Sequence, residues 1–274
     1  MPALGKDGLK EMFGLEGRVA IVTGGAGLLG REFVKALRDA GAKVAVFDIQ
    51  TKYPQEFEKV LLGKNVAVYK TDVTDKKSIQ RALKAISKKW GTPQILVNAA
   101  AIDIPPKYSK KGNLFETYPE ESLEKIMDVN VKGTFLCSQT IGAAMAKGKG
   151  GSIINISSVY GEVSPDQRIY VRKKEKGTFI KPISYCMSKG AIHSITKYLA
   201  TYWAKKNVRV NTVTFGGVFS DQDKEFVKNY SSRVPMGRMA RRDEYNGAIL
   251  FLASDASSYM TGANLVIDGG YTTW

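Results

Sequence analysis

The chain has 274 residues, 43% of them hydrophobic, and a formal net charge of +15. That length suits one α/β domain with a substantial core better than two domains. No apolar run is long enough to span a bilayer, the lone histidine, His193, excludes a zinc site built on histidines, and two cysteines, Cys137 and Cys186, make no disulfide framework. The basic balance raises nucleic acid and anionic surfaces as partners. The lysines are scattered through 51–90 and 164–181, however, with no zinc-finger spacing and no aromatic-interleaved RNA motif. A solvated surface fits them better than a nucleic-acid interface. Met1–Glu16 lacks the continuous apolar stretch of a signal peptide. The expectation is a cytoplasmic protein without membrane contact, in which residues 1–16 are a short extension ahead of one domain over 17–274.

Short apolar runs rich in β-branched residues predict strands at Arg18–Thr23, Lys43–Asp48, Val66–Lys70, Ile95–Asn98, Ser152–Ser157, Val208–Thr214 and Asn264–Ile267. Helical periodicity lies between them, at Leu28–Ala40, Tyr53–Leu62, Lys76–Trp90, Glu120–Lys147, Ile183–Lys205 and Asp243–Ala253. Strands alternating with helices imply βαβ crossovers, hence a Rossmann-like doubly wound parallel sheet of about seven strands in a single α/β domain. Two stretches break the rhythm. One is the basic insert 164–181. The other is 216–241, with a weak helical piece near Asp221–Tyr230, expected to form a flap over the site.

The first strand runs directly into Thr23-Gly24-Gly25-Ala26-Gly27-Leu28-Leu29-Gly30, and a helix follows. Glycines at such a turn let the backbone approach a pyrophosphate, and the helix N-terminus offers it free N–H groups. Gly24, Gly27, Leu29 and Gly30 are therefore candidate dinucleotide contacts. Asp48 ends the next strand, 24 positions after Gly24. A carboxylate there can accept from both adenosine ribose hydroxyls and would repel a 2′-phosphate, which favours NAD over NADP. Lys52 nearby could soften that preference. Asp72 and Val73, and Asn98 and Ala99, follow the third and fourth strands, at the sheet end where ligands bind.

Tyr185 and Lys189 stand one helical turn apart on one face. An ammonium near a phenol favours the phenolate and brings its pKa towards the operating range of a general acid/base. Taken in order, Thr23–Gly30, Asn98–Ala101, Asn130, Ser158 and Tyr185/Lys189 resemble the short-chain dehydrogenase/reductase family over Gly17–Gly270. The tail Phe251–Gly262 with Asp268-Gly269-Gly270 resembles its oxoacyl-carrier-protein reductase and sugar dehydrogenase branch.

The resemblance implies that Tyr185 exchanges the substrate proton. It implies that Ser158 (or its neighbour Ser157) steadies the reacting oxygen, that Lys189 holds the nicotinamide ribose and lowers the pKa of Tyr185, and that Asn130 holds a relay water. Val218 and Ser220 would hold the carboxamide, with Phe215 standing where the family has proline. It also implies a homotetramer or dimer. The expected activity is NAD(H)-dependent hydride transfer between nicotinamide and an alcohol or ketone, with a small sugar or polyol as the substrate. An oxoacyl thioester reductase and a catalytically inactive nucleotide sensor are the alternatives. Two departures stand out. Leu28 occupies the place of a usual glycine. Ser158 and Tyr185 are 27 positions apart, well beyond the usual spacing. The added length is the insert, expected at the substrate mouth with Gln167 and Arg168 as its substrate contacts.

Overall fold

The alternation of the strand runs decides the layers. A computed structural model describes residues 6–50, 52–61, 63–103, 114–171 and 179–274. Seven parallel strands, β1 (Val19–Thr23), β2 (Lys43–Asp48), β3 (Val66–Lys70), β4 (Ile95–Asn98), β5 (Gly151–Ser158), β6 (Val208–Phe215) and β7 (Asn264–Ile267), lie in the order β3-β2-β1-β4-β5-β6-β7. Successive side chains point to opposite faces. Ala20, Val22, Val44, Val46, Ile95 and Val97 therefore fill one core layer, while Val19, Ile21, Ala45, Phe47 and Leu96 fill the other. The helices α2 (Leu28–Asp39) and α10 (Asn246–Ala253) seal the first layer through Phe33, Leu37, Ile249 and Leu252. On the other face α4 (Lys76–Trp90) contributes Ile79 and Ile86, and Trp203 closes the layer from α8 (Ile183–Trp203). Reversal of strand order between β1 and β4 opens a crevice at their carboxyl ends, the usual ligand site of such sheets.

Three expectations change. The N-terminal extension carries a helix, α1 (Lys6–Phe13), and Leu15 after it is fully buried in the first core layer, its N–H bonded to the Ala40 carbonyl at 2.8 Å. The predicted helix 53–62 shortens to α3 (Gln55–Leu61). The long helix at 120–147 is one continuous rod, but not a uniform one. It comprises α5 (Glu120–Met127), α6 (Gly133–Cys137) and α7 (Ala143–Lys147), joined through π-helical turns at Asp128–Lys132 and Ser138–Gly142. Such turns mark places where an extra residue has been accommodated, often beside functional groups.

Stretch 216–241 folds as α9 (Lys224–Ser231) and turns. A bridge between Val218 and Ala240 pins its two ends together. Tyr230, Val234 and Met239 are buried in a small third core with Val159, Tyr160, Ile169 and Tyr271. Among the described residues no helix is long and apolar enough to cross a membrane.

Candidate active site

Between β1 and α2 the backbone turns with Gly24 at φ +62°, and Gly27 caps the helix without a side-chain hydrogen bond. The first-turn N–H groups of a helix have no intrahelical acceptor. A Cβ on Gly24 would stand 2.7 Å from the Ala100 Cα, and one on Gly30 would stand 2.1 Å from the Gly24 carbonyl oxygen. The glycines thus pack strand, turn and helix together and leave the helix N-terminus bare, a cradle that fits a dinucleotide phosphate. Leu28 takes the usual glycine's place without closing the turn and, with Leu29, lines the adjoining cavity. In Gly30→Ala we expect a loss of about 2 kcal/mol of stability, as for overpacking elsewhere. NADH binding should weaken at least tenfold. Denaturant midpoints and NADH titration read both effects, and unchanged values would show that the turn can give way.

Asp48 is buried at the end of β2, one carboxylate oxygen accepting from the Ala26 N–H at 3.0 Å and the other from Gln50 at 2.9 Å. The two amides hold it beside the glycine turn. Asp72 directs one oxygen back to the Thr74 amide and hydroxyl, while Val73 packs against Gly133 of α6. Neither lines the cavity. Thr23 accepts from the amides of Ala99 and Ala100 at 3.1 and 3.0 Å, which bends the chain off β4 and puts Ala99 in the cavity wall. The Asn98 side chain points inward. Its Nδ2 donates to Asn155 Oδ1 and Ser138 Oγ, and Asn155 in turn donates to Thr196 of α8. This buried relay ties α8 to the sheet, and it leaves Asn98 Oδ1 without a partner.

At the carboxyl ends of β4, β5 and β6 lies a cavity of about 380 Å³. Ser158, Tyr185 and Lys189 all line it, together with Leu28, Leu29, Ala99 and Val218. Tyr185 and Ser158 stand side by side in its wall, and the Ser158 oxygen accepts from the Tyr160 amide at 3.3 Å. Ser157 also lines the cavity, but its hydroxyl is taken up, donating to the Lys189 carbonyl at 2.9 Å and meeting His193 Nε2 at 3.0 Å. That geometry favours Ser158 over Ser157 for the reacting oxygen. Lys189 is buried, and its Nζ donates to the Ile156 carbonyl at 3.0 Å. Burial pushes its pKa down to about 8, Lys181 adding to the depression while Asp103 opposes it.

The Tyr185 phenol is pushed up, not down, first by burial and then by the Asp103 charge, the neighbouring Ser158 hydroxyl countering only in part. The expected depression by Lys189 is absent from this arrangement: its ammonium stands 5.8 Å from the Tyr185 ring centre and is engaged with a backbone carbonyl. Asn130, in the first π turn, accepts from the Ile102 amide at 2.8 Å and donates to the Ile102 carbonyl and to Ser188. Its amide grips the loop after β4 and steadies α8 one residue from Lys189.

The expected substrate contacts, Gln167 and Arg168, stand outside the wall of this cavity. Arg168 is solvent-exposed and paired with Asp166, and Gln167 accepts from the Lys181 amide; neither lines the cavity. Lys181, at the end of the insert, does, and it pairs with Asp103. Arg172, Lys173, Lys174 and Lys176 lie outside the described residues. Ser220 is absent from the wall, where Gln222 stands instead, donating to the Val218 carbonyl at 2.7 Å and accepting from the Ser220 amide. Tyr160, Tyr170, Tyr230 and Phe226 complete an aromatic side, with Tyr170 donating to the Tyr160 oxygen at 2.9 Å. Sequence reasoning missed these residues, because a lone tyrosine or one lysine among many carries no spacing signal.

A family model described as enoyl-(acyl carrier protein) reductase matches residues 25–272. An NAD-dependent glycerol dehydrogenase of Listeria innocua is 32% identical over 270 residues, covering 97% of this chain and 98% of the relative. A D-threitol dehydrogenase of Mycolicibacterium smegmatis is 32% identical over 268 residues, with 95% of each covered. The crystal structure of a short chain dehydrogenase from Leptospira borgpetersenii with bound NAD+ superposes with a TM-score of 0.82 at 32% identity, covering 96% of this chain and 95% of the other. Sheet order, glycine turn, shared cavity and these likenesses agree, and the chain belongs to the short-chain dehydrogenase/reductase family of oxidoreductases.

Proposed function

We propose that this chain oxidises a secondary hydroxyl of a small polyol with NAD+, and reduces the corresponding ketone with NADH. One observation carries the reading: Ser158, Tyr185 and Lys189 meet in a single cavity beside the glycine turn. The glycerol and D-threitol dehydrogenases among the relatives support the substrate class. Asp48, held at the end of β2, supports NAD over NADP. A bound nicotinamide would supply the hydride acceptor for the carbinol carbon in oxidation and the hydride donor for the carbonyl carbon in reduction. Tyr185 takes the hydroxyl proton in oxidation and gives one to the oxygen in reduction. Ser158 hydrogen-bonds the same oxygen and stabilises its developing charge. Lys189 holds ribose hydroxyls, and Asn130 keeps the loop and helix around it in place, with a relay water as part of the same reading. Val218 and Gln222 offer polar groups for the carboxamide. The expected self-association belongs here too. Tyr198 and Tyr202 stack at 5.9 Å on an exposed stretch of α8, and light scattering would read the mass.

The test is initial-rate measurement with NAD+ and NADP+ over polyols, hydroxy acids and an oxoacyl thioester in the reverse direction. Faster turnover of the thioester than of any ketose, or preference for NADP+, would overturn the corresponding half of the proposal. The raised Tyr185 pKa sets a pH dependence. The phenol keeps its proton at neutral pH, so reduction has its acid ready while oxidation must first lose that proton. Polyol oxidation should therefore climb with pH from about 7 to about 10, and ketone reduction should stay level or fall. Matching profiles in both directions would place another group in control.

A further inference from the structure

The substrate end of the cavity holds a pair of opposite charges that the proton-transfer chemistry does not use. Lys181 and Asp103 both line the cavity and pair with each other. The ammonium stands 4.2 Å from the Tyr185 ring centre, nearer than that of Lys189, and 5.8 Å from the Tyr160 ring. The two residues reach the spot from separate parts of the chain, and each is held there. Asp103 follows Ile102, whose amide and carbonyl are both bonded to Asn130. Lys181 has its amide bonded to Gln167, and it directly precedes Pro182, which caps the helix that carries Tyr185. The lysine side chain is 9% exposed, whereas the carboxylate is 42% exposed and keeps an open side.

We propose that Lys181 and Asp103 form a binding clamp for a vicinal diol, engaging the hydroxyl next to the carbinol that Tyr185 serves. An ammonium can only donate and a carboxylate can only accept, so the pair satisfies both functions of a hydroxyl, which is donor and acceptor at once. The two charges cancel. An uncharged polyol therefore suits the site better than a sugar acid, whose carboxylate would meet Asp103. The rings of Tyr160 and Tyr185 flank the ammonium, and the Tyr170–Tyr160 hydroxyl pair offers further partners along the chain of carbons. The insert thus acts on substrate choice through its last lysine, while its exposed arginine stays in solvent. This inference rests on the polyol reading above and names the groups that recognise the substrate.

The test compares kcat/KM for erythritol with that for butan-2-ol, NAD+ saturating, in the wild-type chain, Lys181→Met, Asp103→Asn and the double variant. The expected result is a fall of about 30-fold in the erythritol-to-butanol ratio in each single variant, carried mainly by KM. That is the scale of losing a hydrogen bond to a charged group. The double variant should lose little more than either single one, because the pair works as a unit. NADH fluorescence titration establishes in each case that the protein is folded and binds cofactor, and Asp103→Asn, at the more exposed partner, guards against a folding defect in Lys181→Met. An unchanged ratio in both single variants overturns the clamp, as does a loss confined to kcat for both alcohols. A wild-type preference for a four-carbon hydroxy acid over erythritol, abolished in Lys181→Met, also overturns it, while leaving the oxidoreductase reading intact. Absence of NAD+-dependent oxidation of every alcohol in the wild-type chain sinks that reading, and the clamp with it.

Discussion

Tyr185→Phe is expected to lower kcat for polyol oxidation by about 10²- to 10⁴-fold, the usual contribution of a positioned general acid/base, while NADH binding is retained. The phenol lines the cavity beside Ser158 from the first turn of α8, a helix that the Asn98–Asn155–Thr196 relay ties to the sheet further along. Phenylalanine keeps the ring and its contacts with Lys181 and removes only the hydroxyl. The residual rate should also lose the steep rise with pH expected of the wild-type oxidation. Single-turnover hydride transfer followed by NADH absorbance is the measurement, since it separates chemistry from product release. Near-wild-type transfer in Tyr185→Phe would remove the phenol from the proton path.

Lys189→Met should have opposite effects on fold and function. In the folded, cofactor-free chain burial holds the Lys189 ammonium at a pKa of about 8, against 10.5 for the free side chain. Between those two values the unfolded chain binds a proton that the folded chain does not, so stability rises with pH across that window. Below about pH 8 the cost of burying the charge is present in full, and above 10.5 it has gone. A methionine carries no such cost and fills similar space, though it gives up the bond to the Ile156 carbonyl. The variant is expected to be more stable than wild type by about 2 kcal/mol at pH 7, to lose that advantage as pH is raised, and to be nearly inactive. Denaturant midpoints across pH read the first two, and a midpoint below wild type at pH 7 would contradict the argument. Stability given up for a working charge is a familiar trade in active sites.

Most of the layer structure was legible because its signal is periodic. All seven strands lie within a residue of the expected bounds, and the glycine turn sits where its order in the chain requires. The three residues joined in one cavity, Ser158, Tyr185 and Lys189, were recognisable as an ordered set. What the sequence left open depends on geometry that has no period. Asn130 reads as one polar residue in a helix, and only the fold reveals its two-way grip on Ile102. Arg168 and Lys181 are both cations of one basic insert, and nothing in their spacing tells which turns to solvent and which to the cavity. The direction of the Tyr185 shift was misread for a related reason. Proximity along a helix implied that Lys189 would stabilise the phenolate, but burial outweighs it and the ammonium bonds elsewhere. Leu15 escaped notice because a lone buried leucine in a charged segment has no pattern around it.

The π turn at Asp128–Lys132 has a consequence for how such a chain can diverge. An α-helix advances about 100° per residue, and a π turn absorbs one residue beyond that schedule. Deleting a single residue there would relax the rod to ordinary helix and leave the segments on either side in phase. Cys137, Ile141 and Met145 would keep their places in the core, but the local bulge that turns Asn130 onto Ile102 would be gone. Substitutions on the rod's exposed side are free to accumulate, but a change of length within those five positions is not. Lineages carrying this active site should drift in composition along the rod while its residue count stays locked.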